Sequence, residues 1–127
     1  MDIIAVFAAA AAIWIVGAVW YGTMSGPWRA ASGVTAKQAA ETPKVVYLLS
    51  YLCFVPMAGF TQYIFFLADV QTAAEGLSMG AGFGAFFGIP WMAVSNMYQS
   101  RPILLTAIDG AYAVIGLAAG GAVLGLF

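Results

Sequence analysis

The chain has 127 residues, 64% hydrophobic and only 7% charged, with a net charge of −1. A soluble domain is about one-quarter charged, and a soluble chain this apolar lacks the polar groups to cover its surface, so the composition specifies an integral membrane protein. No basic excess marks a nucleic-acid partner, and the absence of histidine removes the commonest proton shuttle and metal ligand.

The first apolar segment runs over 3–22. Its start, Met1-Asp2, lacks the positive charge of a signal peptide, and its run is too long for a signal h-region, so it is expected to stay as a transmembrane helix. Trp20 and Tyr21 at its end suit the membrane–water interface. The next stretch, 23–43, is the clearly polar one. Thr35 followed by Gln38 has capping-box spacing and predicts a short interfacial helix over about 35–41. Trp28 and Ala30-Ala31 are expected to dip into the interface beside it. Pro43 fits the first turn of a second span, 44–68, which Pro56 should kink. Gln62 within it calls for a partner across a helix interface. Cys53 has no partner for a disulfide or a metal site and is read as a small hydrophobe.

The third segment, 76–98, carries glycine at every fourth position: Gly76, Gly80, Gly84 and Gly88, a row that leads on to Met92 and Asn96. On a helix these positions share a face. In lipid such a bare groove permits close helix–helix approach. Pro90 should bend this helix before Trp91. Gln99 to Pro102 forms a tight turn, and the fourth segment follows over 103–126. It has its own small-residue stripe through Thr106, Asp109 or Gly110, Ala113, Gly116 and Gly120, with a second ridge at Gly121 and Gly125. This face is expected to pack on the glycine groove of the third span, unless one groove serves a second copy of the chain. About 20 apolar residues cross a bilayer, so the fold class is an all-α integral membrane protein: a four-transmembrane-helix bundle with a short interfacial helix in the first connection.

The basic residues Arg29, Lys37, Lys44 and Arg101 all fall in or beside the first and third connections. The positive-inside rule then places those connections in the cytoplasm and both termini outside. That topology pools Trp20, Tyr21, Asn96, Tyr98, Arg101, Asp109 and Tyr112 at the cytoplasmic end. Asp109 lies roughly 10 Å along the fourth helix at 1.5 Å per residue. A carboxyl within the bilayer marks a functional-site candidate, with Arg101, Asn96 or Tyr21 as partner. The same cluster can also serve simply to lock the helices. One carboxyl without a second titrating group does not make an acid–base enzyme, and neither a nucleophile elbow nor a metal set is present. No enzyme activity and no cofactor are expected.

Gly17-Ala18-Val19-Trp20-Tyr21-Gly22 resembles the G-x-x-W-Y-G signature of the DUF1761 family, and Trp28 follows at a similar distance. Asn96-x-Tyr98, Arg101 and Gly110-x-Tyr112 resemble its later N-Y and G-Y elements, with Met97 intervening in the first of these. The resemblance covers nearly the whole chain. It implies a small bacterial four-span protein of the inner membrane, of uncharacterised function and without assigned catalytic residues. Three roles follow as expectations: a packing or accessory subunit of a homo-oligomer or larger membrane complex, a small oligomeric transporter or channel using Asp109, or a lipid-, quinone- or pigment-binding protein.

Overall fold

A computed structural model describes residues 2–127. These form helices and no strand, and four helical stretches are long and apolar enough to span a bilayer. The protein is a multi-pass membrane protein built as a four-helix bundle.

Helix α1 covers Ile3–Thr23, its first turn capped by Asp2, which accepts from the Ile4 and Ala5 amides. Helix α2, Ser25–Ser32, follows almost at once and stops at Gly33, whose φ of 80° is the left-handed conformation that favours glycine. The sequence reading expects one short helix in this connection, over about 35–41, and α2 is an addition to it. Pro27 falls in the first turn, where helix amides have no intrahelical acceptor in any case. Helix α3, Ala36–Ala40, carries the complete Thr35–Gln38 capping box.

Helix α4 spans Lys44–Leu67 and contains Pro56. Helix α5, Ala73–Phe83, begins three residues before the expected start at Gly76. The cause is a second capping box, in which the Thr72 hydroxyl takes the Glu75 amide and the Glu75 carboxylate takes the Thr72 amide. A wide turn over Gly84–Gly88 leads into helix α6, Ile89–Tyr98. In that turn the Ile89 amide donates to Gly84 O, five residues back. Pro90 has no amide to donate to the previous turn, and one wide turn absorbs the interruption. Helix α7, Ile103–Leu126, completes the chain.

The helices pack with α4 chiefly on α1 and in part on α7, α1 on α7, and α7 on α5 and α6. Two adjacent ridges of α7 make the central contacts. On one ridge, Ala113, Leu117, Gly121 and Gly125 meet Gly84, Gly80, Gly76 and Thr72 of the third span in antiparallel register. Backbone lies against backbone here: a methyl group on Gly76 or Gly80 would overlap the carbonyl oxygen of Gly121 or Leu117. On the next ridge, Gly116 and Gly120 pack on Ile13 of α1. The face expected to meet the third span is thus divided: Gly110, Ala113, Gly121 and Gly125 do so, while Gly116 and Gly120 turn to α1. Because α7 is sandwiched, it needs small residues on two sides, and the Gly121–Gly125 ridge takes the glycine groove. The groove also ends sooner than its spacing suggests. Past the wide turn, Gly88 still meets Ala113, and Ile89 rests on Gly110.

Helix α4 packs chiefly on α1. Trp14 Nε1 donates to Tyr47 O at 3.1 Å, the Tyr51 hydroxyl to Phe7 O at 3.1 Å, and Gln62 Nε2 to Asp2 O at 3.1 Å. Gln62 thus ties the second span to the start of the first, while its Oε1 is buried without a hydrogen-bond partner among the described residues. An apolar cluster of Ala5, Val6, Ala9, Ala58, Phe65 and Leu124 closes the end of the bundle where the chain begins and ends. At the α2–α3 end, α4 and α6 stand apart.

Replacing Gly80 with Ala should lower stability in detergent by about 1–3 kcal/mol, the usual scale of overpacking, because α5 and α7 must separate. At Gly82 a methyl group would meet nothing within 4 Å, so Gly82→Ala should match or slightly exceed the parent. Thermal melting followed by circular dichroism checks both; equal melting of the two variants contradicts the backbone contact.

Candidate functional site

The α1–α7 interface carries a polar lock near the α2–α3 end. Tyr21, in the last turns of α1, donates its hydroxyl to Asp109 Oδ1 at 2.5 Å. Trp20 Nε1 donates to Ile108 O at 3.0 Å, and the Tyr112 hydroxyl donates to Ile13 O at 2.7 Å. Gly17 makes this possible: a Cβ there would lie 2.6 Å from the Tyr112 hydroxyl. Three fixed letters of the G-x-x-W-Y-G segment therefore have a mechanical part, with Gly17 admitting Tyr112 while Trp20 and Tyr21 grip α7; a Cβ on Gly22 would meet nothing within 4 Å. Edge-to-face ring contacts extend the lock in both directions. Trp28 of α2 meets Tyr21 at 5.9 Å, Tyr21 meets Tyr112 at 5.4 Å, and Tyr112 meets Phe54 of α4 at 6.3 Å. Such pairs favour this tilted geometry over flat stacking.

Of the residues pooled by the sequence, Trp20, Tyr21, Asp109 and Tyr112 come together. Asn96 does not join them; its Nδ2 donates to Thr106 Oγ1 at 2.9 Å, linking α6 to α7. Arg101 is not the partner of Asp109. Its guanidinium donates to Ser32 O at 3.3 Å, a carbonyl at the C-terminus of α2 that has no next helical turn to bond. Tyr98 is 89% exposed and takes no part. Trp28 and Phe54 complete the ring contacts. The motif resemblance pointed to Trp28; Phe54 lacks any polar atom that would have singled it out.

Beside the lock lies a cleft of about 1710 Å³. It occupies the gap between α4 and the third span, and Asp109 and Tyr112 lie on its α1–α7 floor. Phe54, Met57 and Phe60 of α4 form one wall, Phe83, Phe87 and Trp91 of the third span the other, and Trp28 and Arg29 of α2 lie at the rim. The surface is predominantly apolar, with charge only at Asp109 and Arg29. Among the described residues no group of three His, Cys, Asp or Glu side chains gathers to hold a metal. What the arrangement offers is a greasy trough with one carboxyl acceptor set into its floor. Cys53 is exposed on the outer surface of the bundle.

Tyr21→Phe removes the only protein donor to Asp109 among the described residues and should cost about 1–3 kcal/mol of stability, the scale of an unsatisfied buried polar group. Asp109→Asn keeps an acceptor and should cost less. A double-mutant cycle on thermal unfolding should give a coupling near the Tyr21→Phe effect; additive changes would mean that the two side chains do not interact.

No curated protein and no solved structure matches the chain. The profile of DUF1761, described as "Protein of unknown function (DUF1761)", matches residues 4–125. That span takes in all four membrane helices and the Tyr21–Asp109 lock, and the chain therefore belongs to the DUF1761 family.

Proposed function

We propose that the protein is a non-enzymatic membrane protein that holds an amphiphile in the cleft between its second and third spans. The observation that carries this is the union of a trough of about 1710 Å³ with apolar walls and a carboxyl at one end of its floor. Ligand sites are typically concave, mainly apolar and fitted with a few polar groups that fix orientation. The cleft has this form and lies between two helices long and apolar enough to span a bilayer, where its ligand would dissolve. A lone carboxyl flanked by tyrosines suits recognition better than acid–base turnover.

A second reading gives the protein a packing role, as part of a homo-oligomer or an accessory subunit of a larger complex. It is favoured by α4, where only Ala58, Thr61 and Phe65 are buried; a neighbour's helix laid along α4 would cover the rest. Transport by an oligomer through Asp109 would build on either reading. The membrane is the bacterial inner membrane, with the α2–α3 end cytoplasmic and both termini periplasmic, as the loop charges favour.

Met57 lines the cleft and is 42% exposed, so Met57→Trp can fill the trough without disturbing a packed core. Native mass spectrometry of the detergent-purified protein should show a bound amphiphile on the parent and severalfold less on Met57→Trp. Equal loading removes the cleft from the function, and a defined multimer free of bound amphiphile selects the packing role. Orientation is checked in a Cys53→Ser background by an impermeant thiol reagent on intact cells. Gln71→Cys, in the second connection, should label directly, and Lys37→Cys only after permeabilisation; the reverse pattern inverts the topology.

A further inference from the structure

Taking the cleft as an amphiphile site, we infer that its ligand is an acidic lipid with a free hydroxyl between tail and phosphate, as in a lysophosphatidate. The inference rests on how hydrogen-bonding capacity is graded along the cleft. At the floor the donors of the α1–α7 lock are already engaged: Tyr21 on Asp109, Tyr112 on Ile13 O, Trp20 on Ile108 O. Asp109 Oδ2 has no protein donor among the described residues, and it is not among the sealed, unpartnered atoms. As a carboxylate, Asp109 is acceptor-only. A phosphate or an ester carbonyl brought to this level would face an acceptor with an acceptor. A hydroxyl would donate into it.

At the rim the chemistry is reversed. Arg29 and Trp28 line the cleft, and neither side chain makes a hydrogen bond within the described residues. Arg29 is the natural holder of a phosphate, and its fork of donors matches phosphate oxygens. The order of the two levels is fixed by the fold. Trp28 sits on Tyr21, the partner of Asp109, while Ser32, one turn beyond Arg29, meets Arg101 ahead of α7. Arg29 therefore lies between the level of Asp109 and the bundle end. A ligand whose tail lies along Phe83, Met57 and Ile64 meets the acceptor first and the cation second. A diacyl phosphatide has esterified the hydroxyl this sequence requires, and a monoacylglycerol lacks the anion. A lysophosphatidate has both, in the required order.

Trp14, Trp28 and Trp91 line the cleft, so tryptophan fluorescence of the full chain in nonionic detergent reports binding. The probes are oleoyl-lysophosphatidate, its 2-O-methyl ether, dioleoyl phosphatidate and monooleoylglycerol. Lysophosphatidate should bind about tenfold or more tightly than the methyl ether, the size expected for one hydrogen bond to a charged group. Asp109→Asn should reduce that gap to about twofold, and Asp109→Glu should restore it. Arg29→Gln should bring lysophosphatidate close to monooleoylglycerol while leaving the methyl-ether gap in place. Helical circular dichroism confirms that each variant is folded. Binding of all four probes alike overturns the headgroup assignment while the cleft stands as an amphiphile site. A fluorescence signal that no probe moves overturns the cleft and the headgroup together.

Discussion

The close approach of α5 and α7 is the constraint on which the rest of the bundle depends. In hydrocarbon, burying an apolar side chain gains little, because lipid tails are as apolar as the protein interior; association comes from packing and polar contacts. The row Gly76, Gly80 and Gly84 against Ala113, Leu117 and Gly121 brings two backbones together along several turns. Large side chains cannot do this. Helix α4 presents Phe54, Met57 and Phe60 where the third span presents glycine to α7, and it meets the rest of the bundle through side chains such as Phe54 on Tyr112 and Phe65 beside Gly76. The cleft is thus the direct result of unequal packing: one helix pair zipped tight by glycine, and a fourth helix held off by bulk.

The wide turn before Pro90 decides what becomes of Asp109. Had the antiparallel ladder continued in step, Gly88 would lie over Asp109, and the carboxyl would be pinned between α7 and the third span. Instead Gly88 stays with Ala113, Ile89 rests on Gly110 and Asn96 reaches Thr106. The register slips where the helix widens. Asp109 is left to α1 and to the cleft, and Tyr21 is the side chain that finds it. A proline that reads as a simple kink therefore acts through hydrogen-bond register, a role in keeping with the frequent placement of wide helical turns at functional sites.

The fold was legible in the sequence because four apolar runs separated by charges and prolines leave few alternatives in a bilayer. Local chemistry was legible where it was sought. Thr35–Gln38 announced the cap of α3, while the same box at Thr72–Glu75 sets the third span's start three residues earlier than the glycine count alone suggests. Spacing could not tell which of two adjacent ridges of α7 faces which neighbour, since Gly116–Gly120 and Gly121–Gly125 have the same i, i+4 step. Nor could it choose the partner of Asp109. Arg101 is near in sequence and opposite in charge, but an unbonded carbonyl at the end of α2 draws it away, and Tyr21, 88 residues distant, takes its place. The cleft had no sequence signature because it is made by two helices failing to meet.

The geometry around Asp109 bears on why an acid is kept there. A charged side chain at the centre of a membrane helix costs about 2.5–3.5 kcal/mol on insertion scales, and one hydrogen bond to a charged group returns about 1.5–3 kcal/mol. The Tyr21 hydroxyl thus offsets much of the burden by itself, and the shallow position near α2 lightens it further. If the acid served only to fasten α1 to α7, the surest arrangement would turn every nearby donor toward it. Trp20 and Tyr112 stand on either side with an N–H and an O–H to give, and both give them to helix carbonyls instead. Those two bonds already fasten α1 to α7 without Asp109. The carboxyl adds a third bond to an interface that those two already fasten, and the second oxygen of this cleft-lining residue takes no protein donor among the described residues.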